Sequence, residues 1–327
     1  MKITVILCTY NRSGNLGSTL ASIASSTLPK SVEWEVLVVD NNSTDQTRTV
    51  VEGFCRKFPG RFRYLFEPQP GKSFALNSGV REARGDVLAF TDDDVIVVPA
   101  WLQNLTVRLE EGLWSGVGGR TLPAETISPP RWLPLEGWDS MAPILYAHCD
   151  WGDKPRELDW PPYGVNMAFR KAMFEKYGGF RTDLGPSPNK SIPRPNEDTE
   201  FGRRLMAGGE RLCYEPSAVV YHPVPKNRIR KDYFLTWKYD YGWAGERERG
   251  PGPVCFGVRQ RFFTAAKVIG VELPKGTLLW VLELDPRRRF IRKCRVWESA
   301  GRLVEICRLL RDRKGSERQG PDHETFR

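Results

Sequence analysis

Strand-like and helix-like segments alternate through the first hundred residues, and no other feature restricts the fold of this chain as much. Residues 3–7, 35–39 and 87–91 are short, mainly apolar runs rich in β-branched or aromatic side chains, and residues 62–66 alternate like a strand. Between them, residues 14–26, 45–58 and 73–83 carry apolar side chains at helical spacing, such as Leu16, Leu20 and Ile23. Strands joined by helices through links this short build βαβ units. The spacing therefore predicts an α/β fold with a mainly parallel central sheet and helices on both faces. After Asp94 the pattern loosens. Residues 101–111 read as a helix, and 115–165 as long loops rich in Pro, Gly and Trp with short strands. Residues 170–177 read as a helix stopped by Gly178. Residues 182–195 hold four prolines and read as a mobile loop. A helix at 196–207 and a strand at 218–221 follow. From Pro223 onward the pattern is helical, with a break at 250–253, a basic helical end and a disordered last dozen residues.

Ligands of open α/β sheets bind beyond the carboxyl ends of the strands. The first strand ends in Thr9-Tyr10-Asn11-Arg12, the second in Asp40-Asn41-Asn42-Ser43 and the fourth in Asp92-Asp93-Asp94. Three adjacent carboxylates repel one another unless a cation compensates them. Their hard oxygens suit Mg²⁺ or Mn²⁺, which complete their shells with substrate phosphates. The plainer reading is a solvated acidic turn capping the next helix. Asp40 stands where a carboxylate commonly meets a ribose or a base edge, and Ser43 or Thr44 can cap the helix that follows. A GxGxxG loop, a Walker A loop and the Gly-rich basic loop of sugar nucleotidyltransferases are all absent.

Charge separates the possible partners. The 49 basic and 40 acidic residues leave a net charge of +9, and the stretch from Arg287 to Arg318 alone, with 12 basic and 4 acidic residues, carries +8. The body is near neutral, which argues against a protein that coats nucleic acid. The basic end could meet phosphate or an anionic membrane. Within it Val296, Ala300, Leu303, Cys307 and Leu310 fall at helical spacing, as in a basic amphipathic helix or a plain packed one. Seven cysteines without a CxxC pair argue against a zinc site or a disulfide framework and fit a reducing compartment. The apolar run near the amino terminus is too short for a signal peptide, and no stretch approaches the ~18 apolar residues of a spanning helix. A cytoplasmic protein, at most peripheral at the inner face of a membrane, is expected.

At these residues the chain resembles the family 2 inverting glycosyltransferases of the GT-A fold. The matching pieces are residues 3–12 (ITVILCTYNR), 38–47 (VVDNNSTDQT), 71–79 (GKSFALNSG), 90–94 (FTDDD), 163–170 (YGVNMAFR) and 196–205 (NEDTEFGRRL). They run in order over roughly two thirds of the chain. The resemblance implies a Rossmann-like αβα sandwich at 1–225, with a nucleotide-binding half at 1–95 and an acceptor half at 96–225. Residues 226–327 would then be a helical, basic carboxy-terminal extension. It also implies a nucleotide-diphosphate sugar donor, a divalent metal (Mn²⁺ or Mg²⁺), direct displacement at the anomeric carbon, and a carbohydrate or lipid-linked sugar acceptor, as in polysaccharide or glycolipid biosynthesis.

Carried over by position, Thr9, Tyr10, Asn11 and Asn42 line the nucleotide, Asp40 contacts base or ribose, and Lys72 and Asn77 lie on a segment closing over it. Asp92 contacts ribose or sugar, Asp94 ligates the metal, and Asp93 is an extra acid at the variable position of a DxD motif. His222 follows a strand and helps hold the metal or diphosphate, or is a structural histidine. Asp198 matches the family's catalytic base, with Glu197 as the alternative. Asp198, Phe201 and Leu205 share one helix face, and a carboxylate at a helix amino terminus is favoured by the dipole. Trp132, Trp138, Trp151 and Trp160 could stack on acceptor sugars or simply pack. The QxxRW motif of processive synthases is absent, which implies one sugar per encounter. The competing readings are a catalytically inactive sugar-nucleotide or carbohydrate-binding protein on the same fold, and a nucleotidyltransferase.

Overall fold

The computed structural model describes residues 1–189, 195–250 and 257–316. Most of the expected break at 250–253 and nearly all of the expected disordered end lie outside these residues. The chain forms two compact units. The first is built from residues 1–128, 140–189 and 196–229 of the described chain, and the second from residues 129–139 and those from 230 onward.

In the first unit the elements run β1 (Lys2–Thr9), α1 (Ser13–Ala24), β2 (Glu33–Asp40), α2 (Thr47–Lys57), β3 (Phe62–Phe66), α3 (Lys72–Glu82), β4 (Val87–Thr91), β5 (Ile96–Val97) and α4 (Trp101–Glu110). They continue as β6 (Gly116–Pro123), α5 (Ala142–Tyr146), β7 (Arg156–Glu157), β8 (Asn166–Arg170), α6 (Lys171–Tyr177), α7 (Glu197–Ala207) and β9 (Leu212–His222). Among the described residues these strands form one sheet in the order β3-β2-β1-β4-β8-β6-β9-β5, with β7 paired to β9. The pairings β3-β2, β2-β1, β1-β4 and β6-β9 are parallel, whereas β8 is antiparallel to both β4 and β6.

The layers follow from the alternation of side chains along buried strands. Ile3, Val5 and Leu7 of β1 point to one face, against Leu16, Leu20 and Ile23 of α1, Val51 of α2 and Trp101 and Leu105 of α4. Ile6 points to the other, against Ala75, Leu76 and Val80 of α3 and an aromatic cluster of Phe90, Phe169, Phe174, Phe180 and Phe201. Phe174 and Phe201 stack at 4.4 Å between centroids, joining α6 to α7. The result is the αβα sandwich expected from the alternation.

The expected mobile loop is tied down in its described part. Ser73 Oγ donates to the Leu184 carbonyl (2.7 Å), Lys72 N donates to the Pro186 carbonyl (2.8 Å), and Leu184 is buried. Residues 190–194 of that loop lie outside the described chain.

The second unit contains α8 (Lys231–Glu248), α9 (Val258–Lys267), a π-helical turn (Val268–Glu272), α10 (Leu273–Leu282) and α11 (Pro286–Ser316). Helices α8 and α11 cross closely because glycines face each other's backbone. A Cβ on Gly242 or on Gly301 would fall 2.0 Å from the Glu298 or Tyr239 carbonyl oxygen. The buried stripe of α11 runs through Phe290, Ile291, Cys294, Gly301 and Ile306. The stripe expected from Val296 to Leu310 is one step out of phase, because Gly301 and the charged Glu305 occupy the inward positions. Glu305 is fully buried and receives Arg247 Nε at 2.8 Å and the Trp243 indole N–H. Glu305→Gln removes the charge that Arg247 faces and should cost about 1.5–3 kcal/mol. Urea unfolding of the whole protein measures it, and a loss under 0.5 kcal/mol would contradict the assignment.

Candidate active site

Sheet topology decides which residues meet. The carboxyl ends of β1, β2 and β4 lie side by side, with Thr9 opposite Asp40 and Leu7 opposite Thr91. Because β8 runs the other way, its beginning reaches the same rim: Thr91 pairs with Asn166. Strands β6 and β9 run back parallel to β4, so β9 delivers His222 there too.

On the β1–β2 side the two loops are stitched together. Asn11 N donates to Ser43 Oγ (2.9 Å), Thr44 N to Asn11 Oδ1 (2.8 Å) and Ser13 N to Asp45 Oδ2 (3.0 Å). Ser43 and Thr44 therefore serve the β1 loop, while Asp45 Oδ1 accepts the Thr47 N–H at the start of α2. Asn11 and Asn42 both adopt left-handed backbone, at φ 50° and 66°, which Asn tolerates better than most residues. Asp40 is buried and accepts Ser43 N (2.9 Å) on one oxygen and Tyr64 Oη (2.8 Å) on the other. Burial and this carboxylate push the Tyr64 phenol up to about 12, so it remains the donor. Tyr10, by contrast, is 54% exposed, with its ring open to a planar partner.

The acids on β4 are not equivalent. Thr9 is buried with its hydroxyl against Asp93, whose carboxyl is pushed up to about 6 by burial and by Asp94. Arg12 approaches Asp93 at 3.9 Å and Asp94 at 3.8 Å. Asp94 Oδ1 also lies 3.8 Å from His222 Nε2, both side chains being 6% exposed. His222 Nδ1 stands 2.6 Å from the Pro223 carbonyl, to which it donates, and Nε2 is the nitrogen turned toward Asp94. Asp92 instead binds Lys72 Nζ at 2.8 Å, and Lys72 lies 3.7 Å from Glu197. Burial opposes charge on both partners. Lys72 nonetheless holds Asp92 below the usual carboxylate range, and Asp92 and Glu197 hold Lys72 well above its ordinary value.

Helix α7 supplies the remaining acids. Each Asp198 oxygen accepts a backbone N–H, Oδ2 from Gly164 (2.6 Å) and Oδ1 from Thr199 (2.7 Å). Glu197 is buried beside it. Burial and the Asp198 charge push its carboxyl up to about 7, against the pull of Lys72. The folded state thus holds this proton more tightly than the unfolded chain, whose ordinary value is 4.5. Stability should accordingly fall as pH rises from about 4.5 to about 7. Melting temperature followed over that range should show the decline, and Glu197→Gln should flatten it, leaving a smaller share to Asp93. An identical profile in the variant would contradict the buried, raised carboxyl.

The sequence profile of Glycosyl transferase family 2 matches residues 4–178, more than half of the chain. The chain belongs to this family. It is a glycosyltransferase. The succinoglycan biosynthesis protein ExoM of Rhizobium meliloti is 29% identical over 241 residues, covering 72% of this chain and 70% of that protein. The glycosyltransferase AglE of Haloferax volcanii is 27% identical over 322 residues, 94% of this chain and 96% of that protein. Among solved structures, the mannosyltransferase PcManGT from Pyrobaculum calidifontis, in complex with GDP-Man and Mn²⁺, superposes with a TM-score of 0.61. It is 21% identical and covers 92% of this chain and 86% of that one. The fold of the first unit is GT-A.

Not every expected residue of the glycosyltransferase stands with the others. Asn77 spends its amide on the Phe180 backbone, donating to the carbonyl (2.8 Å) and accepting from the N–H (2.8 Å). Trp132 packs edge-on against Phe234 and Phe290, and Trp151 against Tyr214. Trp160 lies under Arg203 at 4.4 Å, and Trp138 is 86% exposed beside Arg295. Conversely, Asn41 had no expected role, yet its side chain accepts from Gly71 N (2.8 Å) and donates to the Gln69 carbonyl (2.7 Å). It fixes the approach of the 67–71 loop to α3 and so the position of Lys72. Arg228 adds positive potential at Asp92. A polar strand-end cluster signalled Asn41, but nothing in sequence signalled Arg228.

Proposed function

We propose that this glycosyltransferase moves one sugar from a nucleotide-diphosphate donor to an acceptor hydroxyl by a single, inverting displacement that depends on Mn²⁺ or Mg²⁺. The observation that carries the reading is the convergence, on one sheet rim, of Asp40, the Asp94–His222 pair and Asp198. The donor set fits a hard divalent cation. Asp94 offers an oxygen and His222 its Nε2, 3.8 Å apart. Among the described residues no third metal-binding side chain joins them, so water and the donor's diphosphate would have to complete the shell. When bound, the ion neutralises charge on the departing diphosphate.

The chain's own residues do the rest. Asp40 has lone pairs left to accept from base or ribose, and Tyr10 offers its ring to the base. Thr9, Asn11 and Asn42 shape the backbone of that pocket. Lys72 sits between Asp92 and Glu197 and keeps their combined charge from repelling the diphosphate. Asp198, with both oxygens oriented by backbone N–H groups, takes the acceptor hydroxyl proton. The acceptor oxygen bonds to the anomeric carbon, and the bond to the diphosphate breaks with its electron pair. A lipid-linked or polysaccharide acceptor fits what relatives of this chain are named for. These include the glucosyl-dolichyl phosphate glucuronosyltransferase of Haloferax volcanii, 26% identical over 255 residues.

A thermal-shift panel of nucleotide-sugars with Mn²⁺ identifies the donor, since ligand binding to the folded state raises apparent stability by mass action. The glycoside then formed should show inverted anomeric configuration by NMR. A retained configuration overturns the single displacement.

A further inference from the structure

In the second unit, α9, the π-helical turn and α10 present two opposite faces. The inward line runs through Ala265, Val268, Glu272, Gly276 and Trp280 and packs on α11. Gly276 approaches Val296, Trp280 meets Trp297 edge-on at 5.9 Å, and Glu272 accepts Arg302 at 2.9 Å. The outward face is apolar as well. Phe263 is 80% exposed, Leu282 66% and Leu284 92%, with Phe262, Ile269 and Leu278 each more than half exposed. A helix that is apolar on both faces belongs in a core or against lipid, and exposed apolar surface on this scale marks an interaction site. No helix among the described residues is long and apolar enough to cross a membrane.

The charges around this face choose the partner. Arg259 and Lys275 are exposed and have no acid partner among the described residues. Lys267 is largely exposed and 3.8 Å from Glu272. The acids nearby are already engaged. Glu272 is held by Arg302, Glu283 pairs with Arg292 at 2.9 Å, and Asp285 accepts the Arg288 N–H ahead of Arg287, Arg288 and Arg289. An apolar face edged by exposed cations complements anionic lipid headgroups over acyl chains. A second copy of the same face would instead bring like charges together. The arginines of α11 are less available than their number suggests, since Arg292, Arg295 and Arg302 are paired with Glu283, Asp139 and Glu246.

We propose that the outward face of α9–α10 lies in the plane of an anionic membrane, with Phe263, Leu278, Leu282 and Leu284 inserted below the headgroups and Arg259, Lys267 and Lys275 among them. The proposal is independent of the donor and acceptor. Its test is sedimentation of the full-length protein with phosphatidylcholine vesicles, with and without 30% phosphatidylglycerol. The native protein should bind the anionic vesicles. The triple variant Phe263→Glu/Leu278→Glu/Leu282→Glu should bind at least about tenfold more weakly. Leu284→Asp, at a position too exposed to affect folding, should weaken binding several-fold. Arg259→Gln and Lys275→Gln should each weaken binding about fivefold on anionic vesicles only. An unchanged melting temperature with nucleotide and Mn²⁺ shows that the variants are folded. Absence of native binding overturns the proposal, and so does undiminished binding by both the triple variant and Leu284→Asp. A native dimer in sedimentation velocity that the triple variant converts to monomer, with vesicle binding unchanged, assigns the face to self-association and overturns it as well.

Discussion

Asp198→Asn should lower kcat by about a hundredfold or more and leave nucleotide-sugar affinity within a few-fold. General-base assistance is typically worth 10²–10⁴-fold, and an amide cannot accept the acceptor's proton. The substitution preserves size and one acceptor oxygen. Because the carboxylate receives two backbone N–H groups, from Gly164 and Thr199, one of them loses its partner. A modest loss of stability, about 1 kcal/mol, should therefore accompany the kinetic effect. Steady-state kinetics and donor binding by calorimetry separate the two. A kinetic loss that vanished on cooling a partly unfolded variant would point to folding and not to proton transfer. Glu197→Gln is the necessary companion. If it is inactive while Asp198→Asn is near native, the base is Glu197, whose raised carboxyl would then be poised for proton uptake.

Asp94→Ala should abolish metal-dependent transfer without harming the fold. Asp94 is one of three consecutive acids and contributes to the raised carboxyl of Asp93. Its removal relieves repulsion, so the unliganded protein should melt at the same temperature or slightly higher. The thermal shift produced by Mn²⁺ and donor together should disappear. His222→Ala should act in the same direction but more weakly, raising the Mn²⁺ concentration needed for half-maximal activity, since the carboxylate and the diphosphate remain. Full activity of Asp94→Ala at limiting metal would remove Asp94 from the ligand set.

The first hundred residues were legible because the buried strands there are short, mainly apolar runs, β3 alternates, and each helix shows one apolar stripe. Of the later sheet strands only the 218–221 stretch of β9 was, and the reason is physical. Strand β6 reads GVGGRTLP, with the look of a turn. It has glycines because a Cβ on Gly116 would collide with the Phe169 ring, and one on Gly119 with Asn166 and the Ala218 carbonyl. A strand selected for lack of side chains leaves no periodic trace. Strand β8 was hidden for another reason: its five residues, NMAFR, are buried on both faces and too few to show a period, and with it went the reversal that brings Gly164 to Asp198. The site's charged members were visible as strand-end clusters. Which partner each would take was not: Asp92 goes to Lys72 and Asp94 to His222, a division made in the turn that follows β4. Asn77 and Asn41 are equally polar in sequence, but Asn77 faces the Phe180 backbone and Asn41 the 67–71 loop.

The antiparallel seam between β4 and β8 also constrains how the protein is made. Strand β4 can pair with β1 as soon as both have left the ribosome, yet its other edge waits for β8, about 75 residues further along the chain. At roughly 5–20 residues per second, translation leaves that edge open for about 4–15 seconds. Leu88, Ala89 and Phe90 sit on it, all apolar and all buried once the sheet is complete. An open apolar edge is a template for pairing with another chain. Yield in a heterologous host should consequently respond to slower growth temperature and to holdase chaperones, even for variants whose finished fold is as stable as the native one.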